Sequence, residues 1–88
     1  MHIMAALKEN AVRIMVYLQE HDGEDVTAAD IAQALGLEQK SVNGTITALD
    51  RHRKFVEREE VAITGGKVKY IRLTDAGREF DAEANSAE

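Results

Sequence analysis

Residues 26–53 constrain the fold of this chain more than any other stretch. They contain two apolar patterns of helical period, and Gly36 separates the two patterns where a helix end favours left-handed backbone. Thr27 precedes the first pattern and is a good N-cap, because its hydroxyl can accept from free amides of the first turn. We therefore predict a helix that starts after the cap Thr27 and runs to about Leu35, a tight turn, and a second helix from about Glu38 to Arg53.

The second of these helices is predicted to have one buried side and one polar side. Val42, Ile46 and Leu49 share the buried side at 100° per residue. The opposite side has no large apolar residue, and a purely solvated face would usually carry charged side chains in i,i+4 pairs. Gly44 lies in the middle of this side and costs about 1 kcal/mol relative to Ala. It either lets a ligand approach closely or is simply tolerated there.

A first helix is predicted over residues 4–21, where apolar residues recur at steps of three and four. The apolar stripe is wide enough to pack against a second neighbour besides the helix-turn-helix. That neighbour is either the following hairpin or a partner subunit, and packing within the chain is slightly favoured. A polar loop follows, and residues 24–26 are a candidate for a very short strand.

The period of apolar residues changes from 3.6 to 2 after Phe55, which predicts β-strands. The pair Gly65-Gly66 separates two alternating runs and predicts a two-residue turn in which both glycines have positive φ. This turn would pair Ile63 with Val68 and Val61 with Tyr70. In the same register, Glu59 would form a cross-strand ion pair with Arg72.

The predicted architecture is α+β and mostly α: a three-helix core, a two-stranded wing and a short C-terminal helix. The last helix begins after the cap residue Thr74 and runs from Asp75 to about Ala84. We expect a single domain over residues 1–84, with residues 85–88 as a frayed tail. The order helix, short strand, helix, turn, helix and hairpin is that of the winged helix-turn-helix.

The composition excludes several classes of function. The chain has no cysteine, so disulfides, thiolate metal sites and Cys nucleophiles are excluded. None of the three histidines has a partner at metal-ligand spacing, and Asp50 and His52 project from different sides of one helix. We therefore expect no catalytic residues, no metal and no cofactor. No apolar run approaches the roughly 20 residues of a membrane span, and no secretory signal is visible, so a cytoplasmic protein is expected.

The charge is distributed unevenly along the chain. The net charge is −5, yet residues 38–72 have eight basic and five acidic side chains, whereas each flanking segment has a net charge of −4. A basic centre between acidic ends is the pattern that contact with phosphates on one face would leave. Chance clustering is the alternative explanation.

Two separate motifs resemble the winged-helix regulators of the multiple-antibiotic-resistance (MarR) type. The helix-turn-helix resembles that family's pattern at eight positions: Thr27, Ile31, Ala32, Leu35, Gly36, Leu37, Val42 and Leu49. The exit of the hairpin resembles its L-T-x-x-G motif at Leu73, Thr74 and Gly77. The sequence departs from the family at two places. Gly44 stands where Arg is frequent. The Gly that usually precedes the first wing strand is absent, and Lys54 stands next to Phe55 there.

The resemblance implies a transcriptional regulator that binds double-stranded DNA. The helix 38–53 would lie in the major groove and the hairpin 61–71 on the DNA backbone. Side chains that could contact bases are Gln39, Lys40, Asn43 and Thr47, and those that could contact phosphates are Ser41, Arg51, Lys54, Lys67 and Lys69; Gly44 lies among them. A homodimer on two half-sites is expected to bind more tightly than a monomer. The alternative is a docking module for a protein partner, without DNA binding.

Overall fold

The structure, a computed structural model, describes residues 8–81. In chain order these residues form helix α1 (Glu9–Glu20), helix α2 (Ala28–Leu35), helix α3 (Gln39–Ala48), a π-type turn (Leu49–Arg53), strand β1 (Val56–Ile63), strand β2 (Gly66–Leu73) and helix α4 (Asp75–Arg78). The two strands are antiparallel neighbours in a two-stranded sheet. The predicted winged helix-turn-helix is confirmed.

The helix-turn-helix is built by the local interactions that the sequence predicts. Thr27 and Asp30 form a reciprocal capping box at the start of α2, with both bonds at 3.1 Å. At the end of α2, Gly36 has left-handed backbone with φ of 70°, which lets the Leu37 amide donate to the Ala32 carbonyl at 2.9 Å. The turn therefore directs α3 across α2 through backbone geometry that favours glycine.

One hydrophobic core joins the three helices to the base of the wing. Its fully buried side chains come from α1, α2, α3 with its π-type turn, and β1: Ile14, Met15, Ile31, Val42, Ile46, Leu49 and Val56. The predicted buried side of α3 is confirmed in this set. Because the polar side of α3 lies opposite the core, packing fixes which of its side chains reach solvent.

Two helix boundaries differ from the prediction. Helix α1 begins at Glu9 because Lys8 has extended backbone with ψ of 159°; the predicted residues 4–7 lie outside the described part of the chain. Helix α4 ends at Arg78 rather than near residue 84. The side-chain amide of Gln19 donates to the carbonyls of Gly77 and Phe80 at 3.0 and 2.8 Å, which holds the chain in a turn after Arg78. Residues 82–88, including the predicted tail, are also outside the description.

The predicted helix over residues 38–53 is helical along its length but changes type after Ala48. In the π-type turn the amides of Lys54 and Phe55 both bond to the Leu49 carbonyl, and Lys54 then takes left-handed backbone with φ of 59°. The regular spacing of 100° per residue therefore stops at Leu49. Arg51 and Lys54 consequently lie at different angles from those that the helical pattern predicted.

The predicted register of the hairpin is wrong by two residues. Ile63 pairs with Gly66, Val61 with Val68, and Glu57 with Arg72. The turn is Thr64-Gly65, in which only Gly65 needs left-handed backbone, with φ of 87°. The predicted Glu59–Arg72 ion pair is nevertheless present at 2.7 Å, as a diagonal contact between neighbouring pairs.

Arg72 ties the base of the wing to the loop before α2. Its guanidinium also bonds to the Asp25 carboxylate at 2.8 Å and to the Glu24 carbonyl at 2.9 Å. The bonds to Asp25 and then Glu59 raise the pKa of Arg72, so it remains charged. Beside it, the Ile71 amide donates to the Val26 carbonyl at 2.7 Å. Residues 24–26, the candidate for a very short strand, form no strand in the structure, although this bond joins Val26 to β2.

Candidate nucleic-acid interface

The surface arc of α3 is polar, as its sequence predicts. Gln39, Lys40, Ser41, Asn43 and Gly44 are all exposed, and Thr47 is half-buried. A Cβ atom built on Gly44 would meet nothing within 4 Å, so no packing within the protein requires glycine there. The exposed side chains offer amide, hydroxyl and ammonium groups, which are the groups that hydrogen-bond to base edges and phosphates.

Two features of the fold border this arc. On one side, the guanidinium of Arg58 in β1 donates from Nη2 to the backbone carbonyl of Asn43 at 3.1 Å. On the other side, Ser41 and Gly44 line a cleft of about 730 Å³ between α3 and the first turn of α1. Lys40 and Thr47 lie between the two borders, at the angular centre of the arc.

The wing has two faces with different charge. Side chains that pair directly across an antiparallel sheet share a face, as do alternate residues of one strand. Arg58, Lys67 and Lys69 therefore share one face, and Glu60 opposite Lys69 is the acidic residue on it. Because Arg58 reaches Asn43 from this face, it is the face that meets α3. The sheet register thus places the wing's two lysines on the side of α3.

The opposite face of the wing holds the other acidic residues of β1. Glu57 and Glu59 alternate with Arg58 and so point to this outer face, where Arg72 neutralises Glu59. The sequence of β1 reads as an acidic strand, but in the structure two of its three carboxylates lie away from α3. The net negative charge of the chain is therefore no obstacle to a basic surface on one side.

The remaining predicted contacts lie at the end of the helical stretch. Arg51 and Lys54 are both exposed, beyond the point where the π-type turn begins. Lys67 and Lys69 are exposed near the tip of the wing. All ten predicted residues are accessible or half-buried, and they lie on α3, on the π-type turn and the residue that follows it, and on one wing face. Whether they contact DNA stays a prediction.

Sequence reasoning missed Arg58. It lies in a run with Glu57, Glu59 and Glu60 that reads as an acidic strand, and the sequence pattern gives no signal that this residue reaches α3. Strand alternation alone would have separated Arg58 from Glu57 and Glu59, because neighbours in a strand face opposite ways. The contact to Asn43 additionally requires the angle between wing and helix, which no local pattern specifies.

Comparison with solved structures gives two matches to MepR. The first, the crystal structure of an S. aureus MepR–DNA complex, is 28% identical, with a TM-score of 0.73 over 91% of this chain and 55% of the MepR chain. The second is the crystal structure of MepR, a transcription regulator of the Staphylococcus aureus multidrug efflux pump MepA. It is 28% identical, with a TM-score of 0.72 over 89% of this chain and 54% of the MepR chain. This chain thus spans about half the length of the MepR chains it matches.

These matches confirm the predicted resemblance to the winged-helix core of MarR-type regulators. No protein-family model matches the sequence, and no curated protein matches it. Among residues 8–81, no helix is long and apolar enough to cross a membrane.

Proposed function

We propose that this protein is a cytoplasmic transcriptional regulator that binds duplex DNA, with α3 in the major groove and the wing on the DNA backbone. The observation that carries this proposal is the placement of Lys67, Lys69 and Arg58 on the wing face that meets α3. The structural similarity to MepR in its complex with DNA supports it. The role proposed is binding, and no catalytic step is assigned to any residue.

Base reading falls to the centre of the α3 arc. Gln39 and Asn43 have amide groups that can bond to adenine, Lys40 can donate to guanine, and Thr47 can bond to either. Ser41 borders the cleft beside α1, so we assign it to a phosphate rather than to a base. Arg51, Lys54, Lys67 and Lys69 are assigned to phosphates as well, which positions the helix without specifying sequence.

A measurement of duplex binding against salt concentration tests the proposal. If about five phosphates are neutralised, the logarithm of the binding constant should fall with the logarithm of salt concentration with a slope of about −4 to −5. Absence of binding at low salt, where electrostatic attraction is strongest, would exclude DNA as the partner. A homodimer on two half-sites should bind a duplex with two sites more tightly than a duplex with one.

The reading face is tested with a matched pair of variants. Replacing Lys40 and Asn43 by Ala should abolish the preference for a selected duplex and leave the fold intact. The control replaces Lys8 and Asn10 by Ala, because this removes the same two side-chain types from exposed positions at the start of α1. Equal loss of selectivity in both double variants would show that the reading face is assigned wrongly.

The alternative proposal is a protein-docking module without DNA binding. The outer face of the wing favours it, since Glu57 is exposed there and Ile63 near the tip is 51% exposed. On this alternative, a partner would bind the outer face and the α3 arc would remain unused. Failure to bind DNA at low salt, together with loss of partner binding on Ile63→Ser substitution, would favour docking.

A further inference from the structure

Strand β1 pairs with β2 along one edge, and the ladder between them fixes which of its backbone groups point to the other edge. The Ile71 amide of β2 donates to the Val26 carbonyl at 2.7 Å, so it points away from β1. Ile71 lies opposite Arg58, and these two residues therefore exchange no backbone bonds. The Thr74 amide, by contrast, donates to the Phe55 carbonyl at 3.0 Å, as expected for a pair at an odd number of positions from Arg58.

The outer edge of β1 is consequently a row of free backbone donors and acceptors. Because bonded and non-bonded pairs alternate along the ladder, the N–H and C=O groups of Arg58, Glu60 and Ala62 all point to this edge. No residue between 8 and 81 forms a hydrogen bond with these backbone groups. The pairing is continuous from Val56 to Ile63, with no bulge and no proline to block a further strand. An extended chain can therefore add to this edge.

The side chains of β1 specify the chemistry of the chain that fits this edge. On the outer face of the wing, Glu57 and Glu59 lie towards the base, and Val61 and Ile63 lie towards the tip. Glu57 is exposed and forms no ion pair within the described part of the chain, and Ile63 is 51% exposed. A complementary strand therefore carries basic side chains opposite the two glutamates and apolar side chains opposite Val61 and Ile63.

We propose that the outer edge of β1 binds an extended basic segment of another protein as a third, antiparallel strand, in addition to the DNA binding proposed above. Antiparallel pairs are the commoner kind, and backbone bonds to an exposed edge are a general mode of peptide recognition. A second copy of β1 fits poorly. An antiparallel copy over residues 57–63 would oppose Glu57 to Ile63 and Glu60 to Glu60, and a parallel copy would oppose each glutamate to itself.

The proposal is tested with a synthetic peptide of nine residues, TVTVTKTKT, whose ends are blocked. Its register places the two valines opposite Ile63 and Val61 and the two lysines opposite Glu59 and Glu57. Threonine, a good strand former without charge, occupies the positions between them. Titration of the full 88-residue chain, followed by NMR, should give a dissociation constant of about 100 µM, because the contact is smaller than that of stable complexes.

Hydrogen exchange of individual amides identifies the edge that binds. The peptide should slow exchange of the Arg58, Glu60 and Ala62 amides by about fivefold or more, because these amides bond to the added strand. The amides of Glu59 and Val61 already bond to β2, so their exchange should change little. Slow exchange of the three edge amides that develops with protein concentration in the absence of peptide would assign the edge to a second copy and overturn the proposal.

Two methylated forms of the peptide are a matched pair. Methylation of the amide nitrogens of its third, fifth and seventh residues removes the donors that face Ala62, Glu60 and Arg58, and should weaken binding about tenfold or more. Methylation of the fourth, sixth and eighth residues adds the same three groups to amides that face away from β1, and should change the affinity less than about twofold. Equal effects of the two patterns would overturn the proposal, because binding would then not use the strand edge.

A variant of the protein tests the same edge from the other side. Ala62→Pro removes an edge donor at a position where a strand tolerates proline, so it should weaken peptide binding about tenfold while its thermal transition shows that it folds. A folded Ala62→Pro variant of parental affinity would contradict the proposal. So would equally tight binding of the rearranged peptide TVVTTKKTT, or absence of binding by TVTVTKTKT up to about 1 mM. None of these measurements uses DNA, so this proposal and the proposed function can fail independently.

Discussion

The guanidinium of Arg58 donates a hydrogen bond to the backbone carbonyl of Asn43, 3.1 Å away, and so joins the wing to α3. Asn43 lies next to Gly44, where the MarR-type regulators that this chain resembles often have an arginine within the helix itself. In this chain a cation from the strand, Arg58, reaches the backbone of α3 beside this position. The bond uses one of the five N–H groups of Arg58, which leaves donors for a phosphate.

Replacing Arg58 by Gln should weaken duplex binding roughly tenfold at low salt and make the salt slope less steep by about one. The reason is that the variant loses both a phosphate-binding charge and the bond that fixes the angle of the wing. Arg58→Lys retains the charge but cannot easily keep the planar donor geometry, so it should retain the slope and lose part of the affinity. Fluorescence anisotropy on a labelled duplex measures both quantities.

Arg78→Gln is the matched control for Arg58. Arg78 lies on α4 and bonds to Asp22 at 2.8 Å, away from α3 and the wing tip. The substitution Arg78→Gln removes the same charge from the chain as Arg58→Gln. Because Arg78 lies away from the proposed DNA contacts, the salt slope of this variant should equal that of the parent. If the two variants have the same affinity and slope, Arg58 has no particular role in binding.

The two faces of the wing give a second prediction, based on two glutamates of one strand. Glu60 shares the face of Lys67 and Lys69, whereas Glu57 points to the outer face. Replacing Glu60 by Gln should strengthen duplex binding about two- to threefold at low salt, because a carboxylate is removed beside the phosphates. Glu57→Gln removes the same charge and should change the affinity much less. Equal effects would mean that the wing binds by overall charge rather than by one face.

Gly44 provides a test of the two explanations for a glycine in the middle of a helix. A Cβ atom has open space at this position, so Gly44→Ala should raise the free energy of unfolding by about 1 kcal/mol. We expect duplex affinity to be unchanged, which would mean that glycine is merely tolerated. A more stable variant that binds DNA more weakly would instead show that DNA approaches the helix backbone here. Thermal melting and anisotropy on the same sample separate the two.

The parts of the fold predicted correctly from sequence depend on local chemistry. The Thr27 cap, the left-handed Gly36 and the buried side of α3 each follow from residues within a few positions of one another. The parts predicted wrongly depend on distant contacts. Helix α4 ends early because of Gln19, which is 58 residues from Gly77 in the chain, and no local pattern in residues 74–84 indicates that bond.

The hairpin error has a different cause, since it concerns which pair of neighbouring residues, Thr64-Gly65 or Gly65-Gly66, forms the turn. Gly65 and Gly66 both tolerate positive φ, and sequence alone cannot choose between turns that start one residue apart. The observed register differs by two, so each side chain keeps its face, and Lys67 and Lys69 share one face in either register. The accessibility of the ten candidate residues could thus be predicted, whereas the Arg58 contact that joins the two elements could not.

Lys54 combines a strained backbone with a predicted phosphate contact. Its φ of 59° lies in the left-handed region, and the MarR-type regulators that this chain resembles usually have a glycine before the wing. Lys54→Gly should therefore raise the free energy of unfolding by about 0.5–1 kcal/mol while weakening duplex binding through loss of a cation. Lys54→Ala is the control: it should lose the same affinity without the gain in stability. If Lys54→Gly is no more stable than Lys54→Ala, the backbone strain is not significant.

Gly77 gives the largest predicted effect on stability, and it explains the spacing of the L-T-x-x-G motif. Thr74 accepts from the Gly77 amide at 3.2 Å, and its hydroxyl donates to the Lys54 carbonyl. This brings α4 against the chain before β1 so closely that a Cβ on Gly77 would lie 2.1 Å from the Phe55 carbonyl oxygen and 2.9 Å from a methyl carbon of Leu73. Neither the backbone of Phe55 nor buried Leu73 can move without disturbing the core.

Gly77→Ala should consequently lower the free energy of unfolding by about 2–3 kcal/mol, which for a domain of this size lowers the melting temperature by about 10 °C or more. Gly44→Ala is the matched control, since the same methyl group is added in open space and should have the opposite sign. Both variants are measured by circular dichroism under identical conditions. A Gly77→Ala variant that melts within about 3 °C of the parent would mean that α4 can shift away from Phe55 at little cost, so that the close contact at Gly77 does not hold the base of the wing.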